Sequence, residues 1–401
     1  MIRLAVLATV ALAAPAAAEP WTWAQRNTDF PPAFPEQFRA TTVDSGVAMR
    51  TERLAEGLIH PWGIATLPDG AGWLVTERAG RMRHLAPDGT LSDSIVGTPD
   101  VLSQRQGGLL DVALGPTFAE DRIIYVTYAK PVEGGSATAA ARMRLAEDLN
   151  SVTEVEDIFV QEPPSPTPMH YGARIVFPGD GTAFVTTGEH SSDEERPFAQ
   201  DLDKTYGKVV RVNLDGSTPD GMPFADSEGA AETIWSLGHR NIQGATIGPD
   251  GTLWTIEHGP QGGDELNRPE PGLNYGWPVI SYGERYDFRE VEPGGPIGTG
   301  LAVLEGMEQP VYFWDPVIAP GGMAFHSGEA FADWNGDLLI GSLKPGGVVR
   351  LSLSEDGLVQ EEERLLMELG RVRDVEIQDD GSFIVLTDFE DGWVVHVTPE
   401  G

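Results

Sequence analysis

The sequence predicts an all-β protein, a six-bladed β-propeller in which long loops between the blades form the active-site face. Two observations favour this fold. No long stretch has the periodicity of an amphipathic helix, whereas short apolar segments alternate with tight turns of the Pro-Asp-Gly type. Roughly six such units follow one another, as expected where each small sheet buries its faces only against its neighbours. A β-sandwich or a right-handed β-helix is the alternative fold.

The repeated unit is an apolar strand, a turn and a second apolar strand, and its clearest copy is 63–70 followed by 73–76. Asp69 and Gly70 in its turn supply the backbone angles that a tight hairpin needs. Further copies are 173–177 with 183–187, 245–248 with 252–257, 323–326 with 337–342, 374–378 with 382–387 and, more weakly, 106–114 with 123–128. Their spacing is irregular, so long loops must interrupt the blades, and long structured loops are usually functional.

The N-terminus is expected to be a secretory signal peptide, residues 1–18, followed by a single propeller domain, residues 19–401. Arg3 gives a positive start, Leu4–Ala14 is an apolar run too short to span a bilayer, and Ala16–Ala18 is a small-residue cleavage site. These features predict export to the periplasm. No later segment is long and apolar enough to be a membrane helix, so we expect no membrane insertion.

The composition excludes several classes of partner and chemistry. The chain has 62 acidic and 27 basic residues and a formal net charge of −35, which makes nucleic acid and anionic membrane surfaces poor partners. It has no cysteine, so disulfides, thiolate catalysis and zinc–thiolate sites are excluded. Phosphate-binding Gly-Lys-Ser/Thr loops, dinucleotide-binding glycine motifs, His-Glu-x-x-His and Gly-x-Ser-x-Gly are also missing.

The positions of a few positive charges indicate a ligand. Lys344, Arg371 and Arg373 lie just outside short apolar strands in this acidic chain. Cations placed close together against the overall field predict a site for a small molecule with several carboxylates, which arginine binds bidentately. The alternative is that Arg371 and Arg373, which point the same way from a strand edge, pair with some of the surplus carboxylates.

Polar residues are concentrated in loop segments that enter or leave the predicted strands. Each could be structural when taken alone: a histidine before a strand as a hydrogen-bonded loop residue, Arg240 and Asn241 as strand caps. Together they favour a site, because loops on one face of a propeller converge over its axis. The segments are His170–Arg174, Gly238–Gln243, His258–Asn267, Asn274–Pro278, Ser342–Lys344 and Arg371–Asp374.

As a set, these segments resemble the soluble, pyrroloquinoline-quinone (PQQ)-dependent aldose sugar dehydrogenases of the glucose/sorbosone dehydrogenase family. The resemblance extends from about His60 to Asp388, nearly all of the expected mature chain. It implies a secreted six-bladed propeller that binds PQQ and calcium on one face and oxidises a small aldose substrate at the anomeric carbon. No residue indicates the electron acceptor, which stays unknown.

The resemblance also implies roles for individual residues. The general base falls on His170, and Arg240 is the second catalytic residue. The calcium beside the quinone takes main-chain oxygens of Gly259 and Pro260, and a further calcium is placed by Glu265 and Tyr275. Quinone contacts fall on Gln106, Arg240, Asn241, Lys344, Arg371 and Arg373, and also on Tyr286.

The chemistry of these residue types fits that reaction. A neutral imidazole at His170 can take the hydroxyl proton, and calcium with Arg240 can make the quinone carbon electron-poor. The chain departs from the glucose dehydrogenase branch at Met169, where those enzymes have an acidic residue, and in its shorter insertions between blades. Both departures favour the broader aldose-type branch. A calcium-dependent propeller lactonase and a non-enzymatic sugar- or protein-binding propeller are the alternatives.

Overall fold

A computed structural model describes residues 21–227, 229, 231–286 and 294–400. Within them the regular secondary structure is almost entirely β-strand, with one single-turn α-helix, α1 (Phe118–Asp121). None of the helices in these residues is long and apolar enough to cross a membrane. The expected signal peptide lies outside the described residues. The short 3-10 helices are Pro35–Gln37, Pro68–Gly70, Arg196–Gln200, Ala332–Trp334 and Met367–Leu369.

Twenty-four strands in the described part of the chain form six separate sheets, which confirms the six-bladed propeller. Two strands, β1 (Thr41–Thr42) and β2 (Met49–Leu58), precede the first blade. The first three blades are β3 (Pro61–Thr66), β4 (Trp73–Glu77) and β5 (Arg81–Leu85); β6 (Leu109–Leu114), β7 (Ile123–Val132), β8 (Gly135–Leu145) and β9 (Val152–Val160); and β10 (Gly172–Val176), β11 (Thr182–Thr187), β12 (Lys208–Asn213) and β13 (Ile234–Leu237).

The other three blades follow the same antiparallel order. β1 joins the fifth blade and β2 joins the sixth. The strands are β14 (Ile242–Ile247), β15 (Leu253–Glu257), β16 (Asp264–Asn267) and β17 (Tyr312–Trp314); β18 (Pro320–Phe325), β19 (Leu338–Ser342), β20 (Val348–Leu353) and β21 (Val359–Leu365); and β22 (Val372–Ile377), β23 (Phe383–Thr387) and β24 (Gly392–Pro399).

The ring closes in the sixth blade, which combines strands from both ends of the chain. β2 pairs antiparallel with β24, in a register that places Arg53 opposite Val395 and Leu58 opposite Gly392. The innermost strands, β3, β6, β10, β14, β18 and β22, each contact the next, and β22 contacts β3. Each innermost strand is the inner edge of its sheet, and the closed ring places these six edges against one another around the axis, where they are protected.

The hydrophobic core lies between neighbouring blades. Leu74 and Met82 of the first blade pack in one cluster with Val126 and Met143 of the second. Ile256 of the fourth blade packs with residues of the fifth in the same way. Each blade therefore buries its apolar faces only against adjacent blades, as the repeat in the sequence predicts.

A buried ion group ties three blades together at the axis. The Arg174 guanidinium in β10 donates to Asp111 Oδ1 in β6 (2.9 Å) and to Asp374 Oδ1 in β22 (2.8 Å). Gly322 lies in β18, the innermost strand next to β22. A Cβ atom at this position would lie 1.7 Å from Asp374 Oδ1. Only a glycine therefore allows β18 to approach this group.

All six innermost strands have a register shift near their first residues. Such bulges change the direction of side chains where a strand begins. Because the innermost strands run the same way along the axis, their first residues and the loops before them meet on one face. That face holds the predicted site residues.

Candidate active site

A cavity of about 200 Å³ opens on the axis at this face. Every blade contributes to its wall through the start of its innermost strand. The wall includes Trp62, Gln106, Tyr171, Asn241, Ala319 and Arg373.

Arg371 and Arg373 both line this cavity and both bind one carboxylate. Asp388, directly after β23, accepts hydrogen bonds at Oδ2 from Arg371 Nη2 (2.8 Å) and Arg373 Nη2 (2.6 Å). Its Oδ1 atom lies 2.8 Å from His60 Nδ1. Burial alone would raise the pKa of Asp388, but Arg373, Arg371 and His60 hold it well below its usual range. The two arginines thus point the same way, as predicted, and they share an internal carboxylate.

The sharing leaves positive charge for a ligand. Two guanidinium groups face one ionised carboxylate, and the buried Nε atom of Arg373 has no hydrogen-bond partner in the described part of the chain. Arg373 Nη1 donates to Gln243 Oε1 (3.1 Å). Burial lowers the pKa of Arg373, while Asp388 opposes that shift. An anion in the cavity would neutralise the remaining charge.

Lys344, the third predicted cation, is outside the wall of the large cavity. Its side chain is exposed, and its ammonium group lies 4.9 Å from the centre of the Trp23 ring. The neighbouring Leu343 lines the cavity, whereas Lys344 is not part of its wall. The structure therefore brings together two of the three cations predicted to bind one ligand.

His170 is buried beside this cavity, in the loop that enters β10. Its backbone has a left-handed conformation, with φ of 46°, which is rare for a residue with a side chain and is often found at functional sites. The backbone N–H of His170 donates to Gln106 Oε1 (2.8 Å). Gln106 thereby fixes the loop that carries the histidine.

The ring of His170 contacts a carboxylate that the sequence analysis missed. His170 Nδ1 lies 2.9 Å from Glu189 Oε2, in the loop after β11. Burial lowers the pKa of His170, so the imidazole is neutral. Burial would raise the pKa of Glu189, but the ring of His170 and the charge of Arg240 lower it to about 2. The ionised Glu189 therefore accepts a hydrogen bond from Nδ1–H, and the lone pair of the ring is on Nε2.

Arg240 and Asn241 lie directly before β14 and hold its start, Arg240 through contacts within the fourth blade and Asn241 through a contact with the third. Arg240 Nη1 donates to the His258 carbonyl (2.8 Å), and the guanidinium lies 5.2 Å from the centre of the Trp277 ring. The buried Nε atom of Arg240 has no partner among the described residues. Asn241 Oδ1 accepts from the backbone N–H of Gly172 (3.1 Å), which joins the third and fourth blades.

The four residues predicted to bind calcium line a second, smaller cavity of about 10 Å³. It adjoins the first cavity, because His258 lines both. The cavity is lined by Gly259, Pro260, Glu265 and Tyr275, together with Arg240 and Glu257.

Two carboxylates meet at this smaller cavity. Glu257 and Glu265 are directly opposite each other in β15 and β16. Burial raises the pKa of Glu265 well above its usual value, and the charge of Glu257 raises it further. The Tyr275 hydroxyl donates to the Arg268 carbonyl (2.6 Å), so only its main-chain oxygen is left to bind an ion. No cluster of three or more His, Asp or Glu side chains suited to a metal occurs among residues 21–286 and 294–400 that the structure describes.

The loop of Gly259 and Pro260 is held by Asp264. Asp264 Oδ1 accepts from the Gly259 N–H (2.8 Å), and Oδ2 accepts from the N–H groups of Ile318 (2.8 Å) and Ala319 (2.7 Å). Burial raises the pKa of Asp264 to about 7, although these donors favour its ionised form. The Asp264 side chain therefore links the loop of Gly259 and Pro260, which is predicted to bind calcium, to the loop before β18.

Tyr286 lies in a third space. The residue is 40% exposed and lines a cleft of about 60 Å³ with Arg240 and Pro260. This cleft adjoins the smaller cavity, because Arg240 and Pro260 line both. Residues 287–293, which follow it, are outside the described residues.

A repeated acidic position could have identified the missed carboxylates. Glu77 and Glu257 end the second strands of their blades, and Glu189 and Asp388 follow the equivalent strands within two residues. Each binds a loop that leads into an innermost strand: Glu77 accepts from the Ile59 N–H, and the others contact His170, His239 and His60. The sequence signal is an acidic residue at or just after the end of the apolar second strand in four of the six blades.

Comparison with known proteins agrees with this architecture. The family model described as Glucose / Sorbosone dehydrogenase matches residues 58–396. The chain is 43% identical over 355 residues to the aldose sugar dehydrogenase YliI of Escherichia coli (strain K12), covering 88% of this chain and 93% of that protein.

Two solved structures have the same fold. The apo-form aldose sugar dehydrogenase of Escherichia coli is 41% identical with a TM-score of 0.82, covering 88% of this chain and all of the other. The PQQ-bound aldose sugar dehydrogenase of Streptomyces coelicolor is 26% identical with a TM-score of 0.70, covering 88% of this chain and 99% of the other. The resemblance inferred from the motifs is confirmed: this chain belongs to the glucose/sorbosone dehydrogenase family.

Proposed function

We propose that this protein oxidises aldose sugars at the anomeric carbon to the lactone, with PQQ as its cofactor and calcium beside it, in the periplasm. Membership of the family makes the chain an oxidoreductase that acts on sugars. The cofactor, the metal, the location and the residue roles are the proposal. The observation that carries it is an arrangement at one face: Arg371 and Arg373 line the large cavity, and Arg240 lines the smaller one that adjoins it. The buried His170 directly precedes Tyr171, which lies in the wall of the large cavity.

The residues of the large cavity fit PQQ, a planar quinone with three carboxylates. Arg371 and Arg373 retain positive charge beyond Asp388, and the buried Nε of Arg373 is a free donor among the described residues. Gln106 and Asn241 add polar groups to the wall. Support for PQQ also comes from the PQQ-bound relative. When bound, the quinone would accept the hydride that leaves the anomeric carbon.

His170 would act as the general base. Its Nδ1 proton is held by Glu189, so Nε2 is the atom that can take the proton of the anomeric hydroxyl. Burial keeps the ring neutral and therefore ready to accept it. Arg240 lies close enough to influence this ring electrostatically, and its free Nε can stabilise negative charge that develops on an oxygen nearby.

The calcium beside the quinone would be held by the carbonyl oxygens of Gly259 and Pro260. A further calcium would be held by Glu265 and the main-chain oxygen of Tyr275, and all four residues line the smaller cavity. These are the hard oxygen ligands that calcium prefers. The like-charged pair of Glu257 and Glu265 would be relieved by a cation. In this position calcium would supply Lewis acidity to the reaction.

The lactonase alternative needs acidic side chains that converge on a metal at the axis. The axial carboxylates of Asp111 and Asp374 instead bind the Arg174 guanidinium. They are therefore committed to the structure of the ring. The geometry favours the dehydrogenase.

Turnover of the reconstituted protein tests this proposal. The apo-protein is mixed with PQQ and calcium, and reduction of an artificial dye is followed after an aldose is added. We expect dye reduction that needs all three additions and disappears in His170→Gln, while the variant still binds PQQ. Full activity in His170→Gln would contradict the assignment of the base, and no turnover with any aldose would contradict the proposed function.

A further inference from the structure

Arg78 lines the large cavity but belongs to none of the contacts described above. It directly follows β4, and its backbone N–H donates to the His60 carbonyl (3.1 Å). Its partly exposed guanidinium forms no hydrogen bond or ion pair with any residue that the structure describes. The next arginines in the same blade are engaged: Arg81 binds Glu77, and Arg83 donates to the Ser92 carbonyl.

The position of Arg78 is fixed by close packing. The loop before β6 passes against it at Gly108, where a Cβ atom would lie 1.9 Å from the Arg78 carbonyl oxygen and 2.6 Å from its Cγ. Gly108 has a φ of 151°, within the region that favours glycine. The base of the Arg78 side chain is therefore held at the cavity wall.

The charges around the cavity are unbalanced at Arg78. Arg371 and Arg373 share Asp388, whereas Arg78 has no carboxylate partner among the described residues. Burial lowers the pKa of Arg373, Asp388 raises it, and the nearby charges of Arg371 and Arg78 lower it again. Arg78 is thus close enough to repel Arg373, and an anion between them would remove that repulsion.

We propose that Arg78 binds a carboxylate of the ligand in the large cavity, so that Arg78, Arg371 and Arg373 together form its anion-binding wall. This inference rests on the proposed function, in which the ligand is PQQ. Arg78 takes the position of third cation that the sequence analysis assigned to Lys344. Its guanidinium offers a carboxylate a complete fork of donors, because no described residue uses any of them.

Binding of PQQ to the apo-protein tests the proposal without any turnover. PQQ is titrated in calcium-containing buffer, and the Kd is read from quenching of tryptophan fluorescence. We expect Arg78→Gln to weaken binding at least tenfold and Arg78→Lys to lie between it and the wild type. Arg83→Gln removes the same charge from the same blade outside the cavity and should bind within twofold of the wild type.

The outcomes separate the two levels of the argument. If the wild type binds PQQ and Arg78→Gln binds it equally well, the role of Arg78 is wrong and the proposed function stands. If the wild type does not bind PQQ, both are wrong. Thermal unfolding of the apo-proteins checks that Arg78→Gln is folded, and Arg78→Lys carries the test if it is not.

A sugar-binding role for Arg78 gives a different result. With PQQ saturating, Arg78→Gln should leave the KM for an uncharged aldose within twofold of the wild type. A raised KM together with an unchanged Kd for PQQ would assign Arg78 to the substrate and overturn the proposal.

Discussion

His170 Nδ1 lies 2.9 Å from Glu189 Oε2, and both side chains are buried. The contact fixes the tautomer of the imidazole. An ionised carboxylate accepts a hydrogen bond from Nδ1–H, which leaves Nε2 as the basic atom. The two residues come from different loops, one before β10 and one after β11. This contact gives His170 the tautomer that a general base needs.

Glu189→Gln should change both the rate and its pH dependence. We expect kcat to fall on the order of tenfold or more, since Nε2 no longer reliably carries the lone pair. The negative charge of Glu189 raises the pKa of His170 against burial, so its removal lowers that pKa further. The acidic limb of the kcat profile should therefore move to lower pH. Glu194→Gln, an exposed neighbour, is the control, and a profile in Glu189→Gln that matches it would contradict the tautomer argument.

Arg174→Leu should destabilise the propeller. It leaves Asp111 and Asp374 buried without their partner, a change that typically costs about 3–5 kcal/mol. Urea unfolding measures it. Arg142→Leu, which breaks the exposed pair with Glu156, should cost about 1 kcal/mol or less. Equal losses in the two variants would mean that the axial ion group does not hold the blades together.

Asp388→Asn should destabilise the apo-protein in a pH-dependent way. At pH 7 we expect a loss of about 3–5 kcal/mol, since Arg373 is buried beside it. The pKa of Asp388 is held well below its value of 3.8 in the unfolded chain, so its contribution to stability is complete above that value and is lost as the pH falls through the folded pKa. The difference in the free energy of unfolding between variant and wild type should be smaller at pH 3 than at pH 7. A difference that does not change with pH would contradict an ionised Asp388.

Calcium removal should prevent formation of the active enzyme. A chelator present during reconstitution should abolish turnover, and added calcium should restore it. Glu265→Gln should need more calcium than the wild type, since it lines the proposed metal cavity. Glu361→Gln, at an exposed position of β21, should behave as the wild type. Reconstitution that the chelator leaves unaffected would remove calcium from the mechanism.

The strand repeat was predictable because its information is local. Each predicted pair coincides with the first two strands of a blade, for example 173–177 with β10 and 374–378 with β22. The predicted turn at Asp69 and Gly70 also occurs, with φ values of 57° and 68°. Alternating apolar residues and turn chemistry were sufficient for these elements.

The closing strand β2 could not be predicted in the same way. Most of its residues are exposed, from Met49 to Gly57, so it has no clear apolar alternation. Its place is set by pairing with β24 at the opposite end of the chain. Such a pairing depends on the completed ring, which no local pattern reveals.

The residues of the site also fall into two groups, those that the sequence predicted and those that it did not. The side chains that enter innermost strands, such as Asn241 and Arg373, were predictable because loops on one face converge. Glu189, Asp388 and Arg78 were missed, because each acts through a partner or a charge balance that exists only after folding. Lys344 was placed with the arginines from its sequence position, but its ammonium group packs on Trp23 from the N-terminal segment.

Equilibrium titration of the apo-protein with PQQ in excess calcium tests the central claim most directly. The account predicts saturable binding of one quinone per chain, weakened in Arg373→Ala by about 2–5 kcal/mol because a desolvated carboxylate loses its partner. Binding that does not saturate, or an affinity that Arg373→Ala leaves unchanged, would show that this cavity is not the cofactor site.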